Sequence, residues 1–88
     1  MSNVDVVIFR KDNCVKCKMT KRVLEGYGVQ PKLAELYYEN GAVTDKAQAL
    51  MDKYVIKSAP IVVVKDENGA ILDVWSDFQI DKIKALVA

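Results

Sequence analysis

Histidine is absent from this 88-residue sequence, and cysteine, proline and glycine are scarce, at two, two and four residues. A zinc site normally takes four Cys or His ligands, so two cysteines and no histidine leave half a site, completed only by sharing between subunits. Neither sign of charge dominates. Thirteen Lys and Arg stand against twelve Asp and Glu, a formal net charge of +1, which gives no electrostatic footprint for nucleic acid or another polyanion. The apolar run at residues 61–64 is too short to cross a bilayer, so no membrane partner is expected. Glycine and proline form no linker or low-complexity tract, and no internal repeat is present. The N-terminus reaches an ordinary strand pattern without a signal-like apolar region.

What is there is enough for a core. Apolar residues make up 51% of the chain, and residues 1–88 are read as a single small domain that needs no metal or structural disulfide to fold. Both cysteines fall in one tetrapeptide, Cys14-Val15-Lys16-Cys17. Paired cysteines without a secretion signal point to redox or metal use in a reducing compartment, expected to be the cytoplasm.

The position of the tetrapeptide carries more than its composition. Residues 4–9 (VDVVIF) read as a buried strand, residues 11–13 break it, and residues 15–25 carry helix formers. Cys14 therefore falls at the start of a helix, where unpaired N–H groups and the positive end of the dipole favour thiolate over thiol. It is expected to be exposed there, with Lys11 and Lys16 as neighbouring cations. Met19 with Val23, and Thr20 with Leu24, give the helix a core face, and Gly26-Tyr27-Gly28 ends it. Cys17, one turn on, faces inward. A purely structural bridge across so short a loop gains little from loop closure.

Further on, residues 31–38 suggest a strand ending near Leu36. Thr44 reads as the N-cap of a second helix with apolar Ala47, Leu50, Met51 and Tyr54 on one face. A strand opened by Pro60 runs to Val64, residues 66–69 (DENG) form a hairpin turn, and residues 70–74 return. Ser76 with Gln79 predicts a capping box for a last helix carrying Ile80, Ile83, Leu86 and Val87. The order β-α-β-α-β-β-α predicts an α/β fold, a four-stranded mixed sheet with three helices.

Three segments in this order resemble the thioredoxin superfamily, and within it the NrdH-redoxins, small glutaredoxin-like proteins. They are Cys14-Val15-Lys16-Cys17 with Met19-Thr20-Lys21-Arg22, then Ser58-Ala59-Pro60-Ile61-Val62, then Val74-Trp75-Ser76-Asp77-Phe78. The resemblance spans nearly the whole chain and implies a thioredoxin/glutaredoxin-like fold and a dithiol–disulfide oxidoreductase. Cys14 would attack a substrate disulfide, and Cys17 would resolve the mixed disulfide. Pro60 would be cis and lie against the disulfide, leaving the backbone of Ala59 to pair with an extended substrate. Trp75, Ser76 and Phe78 would shape the partner surface, with core packing as the other reading of both aromatics, and Lys16 would add positive charge.

The resemblance further implies an electron carrier that binds no cofactor, and a carrier this small is most simply expected to be a monomer. It would be reduced from NADPH by thioredoxin reductase, with the large subunit of a class Ib ribonucleotide reductase as its client. Glutathione-binding relatives carry a Gly-Gly pair before the last helix, where this chain has Ser76-Asp77, which argues against a glutathione-dependent glutaredoxin. A non-catalytic redox-sensing module on the same fold is the alternative of another class.

Overall fold

A computed structural model of the chain describes residues 4–88. Its elements are β1 (Asp5–Arg10), α1 (Val15–Gly26), β2 (Lys32–Glu35), α2 (Asp45–Tyr54), β3 (Ile61–Lys65), β4 (Ile71–Ser76) and α3 (Ile80–Val87). The element order is the one expected, and the strands form one four-stranded sheet in the order β2-β1-β3-β4. β1 and β2 run parallel, while β3 is antiparallel to both β1 and β4, so the sheet is mixed.

Strand alternation divides the core in two. Val6 and Ile8 of β1, Val62 and Val64 of β3, and Trp75 of β4 meet Leu24 of α1 and Ile83 of α3 on one face. Phe9, Ile61 and Val63 point the other way, into a cluster with Leu36, Ala47 of α2 and Ile56. β3 lies between two strands and under both helix layers. That is why it reads as an unbroken apolar run rather than an alternating one.

The direction of the strands fixes the site. Phe9 pairs with Ile61, and Ile61 with Ser76, so the end of β1, the start of β3 and the end of β4 share one edge of the sheet. β2, parallel to β1, ends at the same edge, with Glu35 beside Arg10. The segments leaving these ends hold Cys14, Pro60, Asp77 and Tyr37. The hairpin of residues 66–69 lies at the other end of β3 and β4.

Three local expectations need correction. Met19 is exposed, because the buried row of α1 is Cys17, Thr20 and Leu24. Thr44 does stand at the N-cap of α2, but its hydroxyl donates to the Glu35 carbonyl (3.1 Å). The Asp45 N–H is taken instead by the Tyr38 hydroxyl (3.2 Å). The Ser76–Gln79 capping box does not form. Ser76 is recruited into β4, Gln79 becomes the N-cap of α3, and the Gln79 side-chain amide donates to the Ser76 carbonyl (2.8 Å).

Candidate active site

Asn13 turns the chain into α1. Its φ of 55° lies in the left-handed region, where asparagine is among the few tolerated residues. Cys14 follows in extended conformation (φ −102°, ψ 101°) as the N-cap, and its Sγ accepts from the Cys17 N–H at 3.1 Å. The sulfur thus takes the role that a serine or aspartate oxygen usually plays at a helix start. Cys14 and Cys17 are joined as a disulfide, with Cα atoms 5.2 Å apart. Thr20, fully buried one turn below, satisfies its hydroxyl by donating to the Lys16 carbonyl at 2.8 Å.

The expected exposure of Cys14 is not found. Each cysteine is 5% exposed, because the capping sulfur turns back over the first helical turn toward Cys17 instead of outward. Access comes from hollows at the sheet edge. One, of about 430 Å³, is lined by Lys11, Asn13, Cys14, Val15 and Lys16 on the α1 side and by Leu36, Tyr37, Met51, Lys57, Ser58 and Ala59 opposite. A smaller one, of about 50 Å³, holds both cysteines with Arg10, Lys11, Lys18, Lys21 and Leu33. Cys14 borders both, and Cys17 only the smaller. That asymmetry gives Cys14 the wider approach of the two sulfurs.

The Ala59–Pro60 peptide bond is cis, Pro60 is buried, and Ala59 lines the large hollow. Two hydrogen bonds tie this loop to the end of β4: Ser58 Oγ to Ser76 Oγ (3.2 Å), and the Asp77 N–H to the Pro60 carbonyl (2.9 Å). Lys16 reaches over to Asp77, Nζ to Oδ1 at 2.9 Å. The Lys16 ammonium, and after it the Phe78 N–H at 2.7 Å, hold the Asp77 carboxyl below its ordinary value of 3.8.

Lys16 and Ala59 therefore share the large hollow with Cys14, and the end of β4 braces the Pro60 loop through Ser76 and Asp77. Trp75 does not join them. It is 4% exposed and packs in the core with Val6, Ile8, Leu24, Val62, Val64 and Ile83, so of its two readings the structure takes packing. Phe78 leans on the same cluster and is half-buried. Sequence reasoning did not place Tyr37, Met51 or Lys57 at the site; Met51 reaches the hollow from α2, and Tyr37 and Lys57 from the segments that follow β2 and α2, with no local motif. The grip of Asp77 on Pro60 and Lys16 was equally out of reach, since it joins residues far apart in the chain.

A dithiol at a helix N-terminus, beside a cis-proline loop on a mixed four-stranded sheet, defines a thiol–disulfide oxidoreductase of the thioredoxin fold. The glutaredoxin family model matches residues 6–68, and the chain belongs to the glutaredoxin family. Among solved structures it is similar to the glutaredoxin-like NrdH-redoxin from Escherichia coli, with a TM-score of 0.70 and 23% identity over 93% of each chain. A glutaredoxin from Archaeoglobus fulgidus superposes with a TM-score of 0.63 at 19% identity, covering 96% of this chain and 86% of that one. Thioredoxin f2 from Chlamydomonas reinhardtii gives 0.63 at 21% identity, covering 98% and 77%. These likenesses show a shared fold. No curated protein matches the chain.

Proposed function

We propose that this chain is an electron carrier of the NrdH-redoxin kind, which reduces protein disulfides and is itself reduced by a thioredoxin-reductase-type flavoenzyme drawing on NADPH. The observation that carries the dithiol chemistry is Cys14, an N-cap sulfur that borders the large hollow while Cys17 stays behind it. In the reduced protein, the Cys17 N–H and the helix dipole favour the Cys14 thiolate. The thiolate attacks one sulfur of the client disulfide, and the other leaves as a thiolate and takes up a proton. Cys17, deprotonated, then attacks Cys14 Sγ and expels the second client sulfur, which is protonated in turn. Two electrons pass to the client, and the Cys14–Cys17 bond closes.

Ala59 is read as the backbone partner of an extended client segment, Pro60 as the wall beside the disulfide, and Lys16, Ser76 and Phe78 as its rim. The client favoured by the resemblance to NrdH-redoxins is the large subunit of a class Ib ribonucleotide reductase. The likeness to the Escherichia coli protein, described as having a thioredoxin-like activity profile, supports the choice of reductase. On this reading residues 1–88 act as one cytoplasmic, monomeric domain with no bound cofactor. The glutaredoxin family match favours a second reading, in which glutathione is the reductant.

One assay separates them: NADPH consumption with a disulfide substrate, coupled to bacterial thioredoxin reductase or to glutathione and its reductase. Turnover with the flavoenzyme alone supports the proposal, whereas equal or better turnover with glutathione overturns it. Cys14→Ser should abolish turnover in either system. Cys17→Ser should accumulate mixed disulfides with clients on a non-reducing gel, and failure to trap any would remove the resolving role.

A further inference from the structure

Six cations line the two hollows at the disulfide: Lys11, Lys16 and Lys57 in the larger, and Arg10, Lys18 and Lys21 with Lys11 again in the smaller. Among the described residues, no acidic one lines either hollow. Arg10 is spent on Glu35 and Asp12, and Lys21 on Glu25, all on their own side of the fold. Lys16 differs. It stands between the two cysteines, and its partner, Asp77, comes from the β4–α3 connection on the far side of Pro60.

Asp77 is held by more than the ion pair. Its N–H donates to the Pro60 carbonyl, its carboxylate accepts from the Phe78 N–H, and its φ is 70°. A non-glycine residue in the left-handed region is uncommon, and aspartate is among the few types that enter it readily. Exposed ion pairs are usually loose because two long side chains must be ordered. Here the acid is fixed by backbone, so only the lysine has to be ordered.

We propose that Asp77 is a specificity-determining residue of the disulfide site: it draws Lys16 to the Pro60 end of the hollow and cancels its charge, so that this side of Cys14 discriminates against carboxylate-bearing disulfides. Anionic groups are accepted instead beside Lys11 and Lys57, which line the same hollow and have no acidic partner among the described residues. The inference rests on the reading of Cys14–Cys17 as an exchange dithiol.

The test uses three small disulfides of similar size and different charge: cystamine, bis(2-hydroxyethyl) disulfide and 3,3′-dithiodipropionate. Pre-reduced protein is mixed with each, and the rate of oxidation is measured at low and high ionic strength. In Asp77→Asn the dianion-to-neutral rate ratio should rise about two- to five-fold at about 10 mM salt, and the gain should largely vanish at about 1 M. Asp77→Gly, which also relaxes the backbone, should give the same ratio, so charge and strain are separated. Lys16→Ala should lower the ratio below that of the parent protein, and the double variant should return close to it. Using ratios cancels any general loss of activity. An unchanged ratio in both Asp77 variants, or a change common to all three disulfides, overturns the proposal. Failure of the parent protein to reduce any of the three is a separate result, which overturns the exchange-dithiol reading itself.

Discussion

Trp75 shows how one residue can be fully used for packing and still hold an unmet demand. Its side chain fills the core face under β3 and β4, yet its indole Nε1 is buried with no acceptor among the described residues. A buried donor left unpaired carries a desolvation penalty of about 1–3 kcal/mol. Trp75→Phe removes that donor along with part of the ring, so the two effects oppose. The change is expected to cost less than about 1.5 kcal/mol in urea unfolding, whereas Trp75→Ala should cost about 3–5 kcal/mol.

Asp77 allows a prediction of sign. Its carboxylate, held below 3.8 by Lys16 and the Phe78 N–H, is the depressed-acid case. Its contribution is complete above the unfolded value and is lost as pH falls through the lower folded value. Thermal melts of the parent and of Asp77→Asn should therefore differ by a constant gap from about pH 5 to pH 8 and converge below about pH 4. A gap that widened in acid would contradict the ion pair.

Among the elements, the helix ends are informative. α1 closes with a Schellman motif: the Val29 N–H reaches the Leu24 carbonyl (2.9 Å), and Gly28 takes the left-handed position at φ 85°. α2 ends in the same way, with the Ile56 N–H on the Met51 carbonyl (3.0 Å), but its left-handed residue is Val55 at φ 55°, 80% exposed. A β-branched residue is poorly suited there, and burial of Ile56 just beyond holds it in place. Val55→Gly should stabilise the fold by about 1 kcal/mol, seen as a rise in Tm of about 4–8 °C. A fall in Tm would mean that the left-handed turn is not the native one.

These elements also show what sequence can convey. The spacing of Ala47, Leu50, Met51 and Tyr54, the break at residues 11–13 and the turn at residues 66–69 are local signals, and each element they announce is present. Two of the readings that failed were those in which a residue had two possible partners. Ser76 could cap a helix or end a strand, and the distant hydroxyl of Ser58 is its partner in the folded chain. Thr44 could cap α2 or reach Glu35. The cysteine pair was legible because its chemistry is contained in four residues. The walls of the hollow were not, because Tyr37, Met51 and Lys57 are brought to it only by strand order.

For the whole molecule, the sheet acts as a polarised scaffold. All the segments that touch the dithiol leave one edge, and both exposed strands are protected from edge pairing. β2 is only four residues long and begins with Lys32, while Asp73 of β4 pairs with Lys82 (3.1 Å). The opposite end carries the turn in which Asp66 Oδ1 accepts from the Asn68 and Ala70 N–H groups (2.9 Å each) and Gly69 adopts φ 86°, away from the dithiol. That turn is the natural handle of the molecule. A short flexible insertion or a surface tether between Asn68 and Gly69 is expected to leave disulfide-exchange rates within about two-fold of the parent, since loop tips of this kind tolerate insertion. Immobilised there, the chain would present its sulfurs to solution on every copy in the same orientation, as an electrode coating or an affinity bait would require.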